Sequence, residues 1–516
     1  MPSGSEQEIE IPPPHMGVLA DHDPLDYGFK GCRDAQNLVV RNGELIVRPG
    51  GTAFGGNGSD RQMGVFQYDH SDGYYRSVKA TNKGMWQYDL NTQAWVNITD
   101  GSNPLDAAGK NLPVFRSFAK AGQTWLLMTN WQATLKRWNG SSATYENAGG
   151  SPPIARCMAI NANRLLLGNL KSGATISPTA IDISSDKNFD SGWGEELTLL
   201  LADTPGEIVS MMEMGNLITA VYKSDAIYMA IAQSGADPFR FEMRASKIPG
   251  PVSPLAVVEG PGGIHFYLAN DFSVQVFDGT RPRSLGSDIQ AYLVNNINPE
   301  RANQAFGFPD TRNGDLYFIF IRSGMEVPDA GIMIHLANNS VWPLRWTNKR
   351  ITAGGLMYIQ RATTIGEMVG TIGEQWLVIG DYIASGLRKL VLGTVDGKIL
   401  KDEGATDDGD TIPFSHETGI SYLGNRLQYA TIHELIHGYY QTGGSQVVNV
   451  TLGKASWAED RVLGSPSTIN LSGSQPYRTR HRTTARAFSL KLDGNASQSG
   501  IKYKGSLLLM TPRGKK

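Results

Sequence analysis

Between about residues 60 and 400 a single strand–turn–strand unit recurs, and this rhythm limits the folds open to the chain more than any other feature. A short apolar strand ends in a Gly or Asn turn, a second strand carrying an aromatic residue or Ile answers it, and another turn follows. The first strands open at Tyr75, Trp125, Arg164, Leu217, Ile264, Leu316 and Trp376. The answering strands open at Gly84, Leu135, Ala226, Val274, Ile332 and Gly397. A spacing of roughly 40–60 residues is that of β-propeller blades, about seven of them. A four-stranded blade has two apolar faces and cannot fold alone, so blades stack radially and close a ring. An unrelated run of hairpins in β-sandwiches is the alternative.

Composition agrees with an all-β chain. Of 516 residues, 59 are Gly, 10 are Trp, 19 Tyr and 17 Phe, while only 19% are charged. That balance suits strands joined by tight turns and is poor for helical bundles. Cys32 and Cys157 cannot make a disulfide framework, and there is no Cys-x-x-Cys. The opening MPSGSEQEIEIPPPH lacks a basic-then-apolar leader. The longest apolar runs, 197–202 and 316–321, are too short for a bilayer. The expectation is a protein neither secreted nor inserted in a membrane.

Five segments follow. Residues 1–25 read as an extended arm, stiffened by Pro12, Pro13 and Pro14, whose order would hint at a docking partner. Residues 26–60 read as leading strands that pack with the C-terminal region. Residues 61–405 are the propeller, with a helical insertion near 287–298. Ser287 or Asp288 caps that helix, Ile289, Tyr292, Leu293 and Ile297 share one face, and Pro299 stops it. Residues 401–411, acidic and without apolar pattern, read as a linker. Residues 411–516 are a β-sandwich or platform with strands at 427–436, 446–452, 487–492 and 501–510.

His433-Glu434-Leu435-Ile436-His437 matches the zinc-peptidase pattern H-E-x-x-H, and Glu459 is a candidate third ligand. The chemistry needs a helix, where residues i and i+4 share a face. Here residues 427–437 alternate as a strand, which would set His433 and His437 about 13 Å apart and turn Glu434 to the opposite face. No P-loop, nucleophile elbow or sialidase-type repeat occurs. Asp407-Asp408 reads as solvated linker rather than a calcium site. No catalytic residue, metal or cofactor is expected.

The formal net charge of −2 conceals an uneven distribution. Residues 478–516 carry ten basic residues and one acid, a net +9, leaving −11 on the rest. Arg478, Arg480 and Arg482 alternate, so a strand would present all three on one face, and Arg486 follows. No aromatic residues interleave with them, as a single-strand nucleic-acid binder would need. The basic strand reads as a subunit interface or an outward platform face.

Three segments together resemble a family. Asn37 opens a short strand, Gly43 turns it, and a second strand ends in Arg48-Pro49-Gly50. The stretch 215–279 and the helix followed by Asn298-Pro299-Glu300-Arg301 form the second segment. The third is the basic strand with 487–492 and a final apolar strand. The likeness, over about residues 25–512, is to the tail hub or nozzle proteins of short-tailed bacteriophages, which include tail stabilisation proteins.

What the resemblance implies is structural. Such proteins form hexameric rings below the portal and adaptor, with a propeller outside and a platform around a channel. They hold or gate the genome, anchor fibres, spikes or a needle, and let double-stranded DNA pass without reading its sequence. The implied location is the virion tail, after synthesis in the host cytoplasm. A carbohydrate-binding or carbohydrate-cleaving propeller, motivated by Trp86, Trp95, Trp138 and Trp342, is the alternative.

Overall fold

The computed structural model describes residues 5–56, 58–101, 105, 111–193, 198–235, 237–286, 289–358, 388–423, 428–440, 446–455, 461–472, 475–497 and 501–513. The repeat folds as six four-stranded antiparallel sheets in series, consistent with propeller-like blades. Each is built on a central hairpin. The first pairs Tyr75–Thr81 with Met85–Asp89 and the second Gln123–Thr129 with Lys136–Trp138. The third pairs Arg164–Ser172 with Thr175–Ile183, and the fourth Ile218–Lys223 with Ala226–Ala232. The fifth pairs His265–Leu268 with Val274–Phe277 and the sixth Asp315–Phe320 with Ala330–His335. These strands are covered on both faces: Leu165, Leu166 and Leu167 are consecutive and all fully buried.

The first strand of each sheet packs beside the first strand of the next. In order these are Gln62–Asp69, Val114–Lys120, Ile154–Asn161, Ile208–Glu213, Val257–Glu259 and Phe306–Asp310. A seventh set of four follows: Ile351–Tyr358, Arg388–Thr394, Ile399–Asp402 and Gly51–Ala53. Its first strand packs on both Phe306–Asp310 and Gln62–Asp69, closing the circle of contacts. Its fourth strand precedes the first sheet in the chain, so Leu400 opposite Ala53 ties the two ends of the repeat together. The expected strand at Trp376 lies outside the described residues.

Six of these seven first strands, all but Ile154–Asn161, line a cavity of about 330 Å³, and Phe66 and Phe115 in its wall stack at 5.5 Å. Arg116 reaches past the third sheet to Glu213 at 2.9 Å, and Glu213 also accepts from the Ile160 amide at 2.7 Å. A charge-assisted link across three sheets fixes their mutual rotation as apolar contacts alone do not.

The remaining strands form two sheets that face each other. One holds Gln7–Ile11, Leu38–Arg41, Glu44–Val47, Lys502–Arg513, Tyr429–Tyr440 and Gln475–Ala485. The other holds Cys32–Gln36, Asp410–Thr418, Ala487–Ala496, Gln446–Ala455 and the short Ser421–Tyr422, Val462–Leu463 and Ser467–Leu471, and joins the seventh set through Thr406–Asp407. Phe414, Tyr439, Leu492 and Tyr503 meet between them. The same core continues to Trp342 of the sixth sheet and to Leu293 of the helix Gln290–Asn296.

Three details depart from the sequence reading. The arm pairs with its own chain, Gln7 to Ile11 opposite Met510 to Ser506, so its order needs no partner. The helix begins at Gln290, with Ile289 at its N-cap and no capping side chain; Ser287 and Asp288 lie outside the described residues. The acidic stretch 401–411 is no free linker. Its backbone joins strands, Asp407 is buried, and Asp408 pairs with Lys398 at 2.5 Å and Lys349 at 3.4 Å. Among the described residues no helix is long and apolar enough to cross a membrane.

Trp342 is fully buried and its indole N–H donates to the Ser340 hydroxyl at 2.9 Å. Trp342→Ala is expected to cost about 3–5 kcal/mol, read from a urea midpoint. A loss below about 1 kcal/mol would show that this joint between sixth sheet and platform bears little of the stability.

Candidate functional site: the N-terminal clamp and the basic edge strand

The motif that runs from Asn37 to Gly50 folds as a tight hairpin and then crosses between the two halves of the molecule. Asn42 and Gly43, with φ of 51° and 78°, form the two-residue turn between Arg41 and Glu44. Asn-Gly suits such a turn because both positions need the left-handed region, which Gly adopts without cost. The hairpin joins the platform where Leu45 and Ile46 pair with Tyr503 and Lys502.

Asn37, also left-handed at φ 58° and fully buried, is the first anchor. Its amide donates to the Pro413 carbonyl at 2.7 Å. Its Oδ1 accepts from the Arg345 amide at 2.8 Å and from Arg48 Nε at 3.0 Å. One side chain thus joins the sixth sheet, the platform and the leading segment.

Arg48 is the second anchor. Nη1 and Nη2 make a two-pronged pair with Asp407 at 2.9 and 2.5 Å. The same nitrogens donate to the carbonyls of Pro49 at 3.1 Å and Arg345 at 3.2 Å. With Nε on Asn37, the donors of the guanidinium are fully used. Its carbon lies 5.0 Å from the Trp346 ring centre. Both charges are buried, side chains 7% and 6% exposed, so only this complete set of partners makes their desolvation tolerable. Lys, with a point charge and three donors, cannot reproduce it.

Pro49 is exposed, whereas Gly50 is buried. A Cβ at Gly50 would lie 2.2 Å from the Thr406 carbonyl oxygen, and the Gly50 amide donates to Gly404 at 3.0 Å. Glycine is required here by close approach of two backbones. Beside the clamp, Arg41 bonds Asp315 and approaches His335 Nδ1 at 3.2 Å.

The basic residues fall on the strand Gln475–Ala485, the last of its sheet. Arg478, Arg480 and Arg482 are exposed and alternate with buried Tyr477, Thr479 and His481. Arg478 reaches Glu434 at 3.2 Å. Arg486 departs from that row. It sits at the corner before Ala487–Ala496, half-buried, with its guanidinium 5.0 Å from the Tyr429 ring.

The zinc-like motif lies on the strand Tyr429–Tyr440. A bulge between Ile432 and Glu434 resets the alternation there. His433 is exposed and meets Thr511 Oγ1 at 2.8 Å, while His437 is fully buried. The two histidines therefore occupy different environments, not one face as simple alternation gives. Both ring nitrogens of His437 are taken, Nδ1 by Ser506 Oγ at 2.6 Å and Nε2 by Thr479 Oγ1 at 3.0 Å. Glu459 lies outside the described residues. Among the described residues no cluster of three His, Cys, Asp or Glu is placed to hold a metal ion. Of the tryptophans considered for sugar stacking, Trp138 and Trp342 are core, and Trp86 and Trp95 flank the buried Lys79 amine.

Sequence reasoning found the clamp's near half but not Asp407, which stands 359 residues from Arg48 in an apparently solvated acidic run. Compared with protein-family models and with curated proteins, the chain matches none.

Two outcomes follow from this geometry. Arg48→Ala leaves Asp407 buried without a counter-charge and is expected to cost about 3–5 kcal/mol, whereas Arg48→Met with Asp407→Leu recovers most of it. Chemical denaturation of the three proteins checks this; a single variant within 1 kcal/mol of wild type would contradict it. Burial, reinforced by His481, pushes His437 down to about 3. The unfolded chain takes up that proton near pH 6.5, so the stability this residue lends is complete above that pH and is lost progressively toward pH 3. Melting series at pH 7, 6 and 5 are expected to show a slope smaller by about 1.4 kcal/mol per pH unit in His437→Gln.

Proposed function

We propose that the chain is a structural protein of a phage tail, the hub or nozzle ring that continues the DNA channel below portal and adaptor. In this reading the seven sets of four strands are the blades of a β-propeller, and residues 411–516 with the leading strands are the platform. Six copies form the ring, the platform faces the channel, and the propellers face outward to anchor fibres, spikes or a needle. The protein acts by geometry and carries no catalysis.

The observation that carries the reading is the combination of a closed run of propeller-like sheets with a two-sheet platform, locked to each other by Arg48, Asn37 and Asp407. A ring under internal pressure from packed DNA needs halves that do not hinge. The resemblance of the Asn37-to-Gly50 motif, the middle stretch and the basic strand to tail hub proteins points the same way. The carbohydrate reading loses Trp138 and Trp342, which are buried.

Negative-stain electron microscopy of the purified protein, alone and mixed with a portal–adaptor complex, tests this. Six-fold rings with a central opening are expected in at least one sample. Monomers or irregular particles in both would overturn the reading.

A further inference from the structure

Besides the outer side of Leu38–Arg41, the six-stranded platform sheet has two edges, of opposite charge. On one side Gln7–Ile11 pairs only with Lys502–Arg513. On the other, Gln475–Ala485 pairs only with Tyr429–Tyr440. Neither has a ladder partner on its outer side among the described residues. Such edges invite strand addition unless something blocks them.

The first edge is acidic. Glu6, Glu8 and Glu10 are exposed, while Ile9 is half-buried and Ile11 buried. The second edge bears Arg478, Arg480 and Arg482. Register places the two sets on the same face of the sheet. Glu8 stands opposite Leu509, Leu509 opposite Glu434, and Glu434 opposite Arg480. Two residues along, Glu10, Leu507, Ile436 and Arg478 form the next row. Residues directly opposite in a ladder project to one side, so each row runs from a glutamate at one edge to an arginine at the other.

All three pairings are antiparallel, which makes Gln475–Ala485 antiparallel to Gln7–Ile11. A second copy that continues the sheet therefore brings its Gln7–Ile11 antiparallel against Gln475–Ala485. Its Glu8 then falls beside Arg480 and its Glu10 beside Arg478. An even number of strands between the edges keeps the alternation of narrow and wide hydrogen-bond pairs in phase.

We propose that the acidic edge of one copy adds to the basic edge of the next, so that the platform sheet runs on from subunit to subunit. The contact is head-to-tail, the kind that generates rings. Pairing of like edges would set Glu on Glu or Arg on Arg, which disfavours a two-fold dimer. The occupant of the arginine edge is thus a second copy of this chain through its own N-terminal strand. The inference rests on the ring reading above and specifies its interface.

The test is a disulfide that only neighbours can form. Within one chain Glu8 and Arg480 are three strand spacings apart, roughly 14 Å, beyond the Cα separation of about 7 Å that a disulfide spans. Cys32 and Cys157 are buried. The full-length Glu8→Cys/Arg480→Cys variant, oxidised and run without reductant, is expected to give a ladder ending at the ring number. As a second readout, Glu8→Arg/Glu10→Arg and Arg478→Glu/Arg480→Glu each weaken assembly more than tenfold by mass photometry, with monomer melting temperatures kept. The four-fold combined variant restores it. Rings in electron micrographs without the ladder, and unaffected by either charge reversal, would overturn the edge pairing and leave the ring reading standing. Monomers with no ladder at any concentration, both alone and mixed with a portal–adaptor complex, would overturn both.

Discussion

A buried ion pair, Arg48 with Asp407, holds the two halves of this molecule in one arrangement. Taken alone, two charges at this depth would destabilise the fold, because the interior repays their lost hydration only when every lone pair and donor is matched. Here Asn37, Arg345, Pro49 and Trp346 complete the set. Asn37 and Pro49 come from the leading segment, Arg345 and Trp346 from the end of the sixth sheet, and Asp407 from a third part of the chain, so the pair is satisfied only when all three are in place. An apolar joint of similar size would tolerate sliding; this one has a single geometry.

The same segment solves a second problem. A ring of sheets built from a linear chain has two ends that would fray. Gly51–Ala53, three residues beyond Arg48, supplies the last strand of the seventh set and ties the end of the repeat to its beginning. Clamp and closure are consecutive in sequence, so the two facing sheets cannot detach from the four-stranded sheets without loosening the circle of sheets as well. Gly50 lets the backbone pass from one to the other against Thr406.

How far the sequence revealed this depends on how local each signal is. The central hairpins were legible because strands buried on both faces are continuously apolar. Three of the outermost strands were not: Glu146–Asn147, Leu199–Leu200 and Arg283–Ser284 are two residues long and exposed. Thr175–Ile183 was hidden by Ser177 and Pro178 within its run. The alternation of Arg478, Arg480 and Arg482 held, whereas the bulge after Ile432 separated His433 from His437 in a way no letter count anticipates. The acid run at 401–411 misled because charge reads as exposure unless a distant arginine is known to meet it. The Pro-rich, acidic N-terminus was the opposite case: Ile9 and Ile11 alternate with glutamates and dock on the chain's own last strand.

The near-neutral total of −2 therefore describes neither half of the molecule. Acid and base are sorted onto opposite edges of one sheet, an arrangement that is unfavourable to leave open and complementary when copies meet. The native mass of the purified chain across a salt series decides whether these edges meet. A closed assembly at six times 56.1 kDa is expected at low salt, dissociating as screening rises. A monomer at every salt and protein concentration, with a portal–adaptor complex present as well as absent, or an open-ended distribution of sizes, would contradict it.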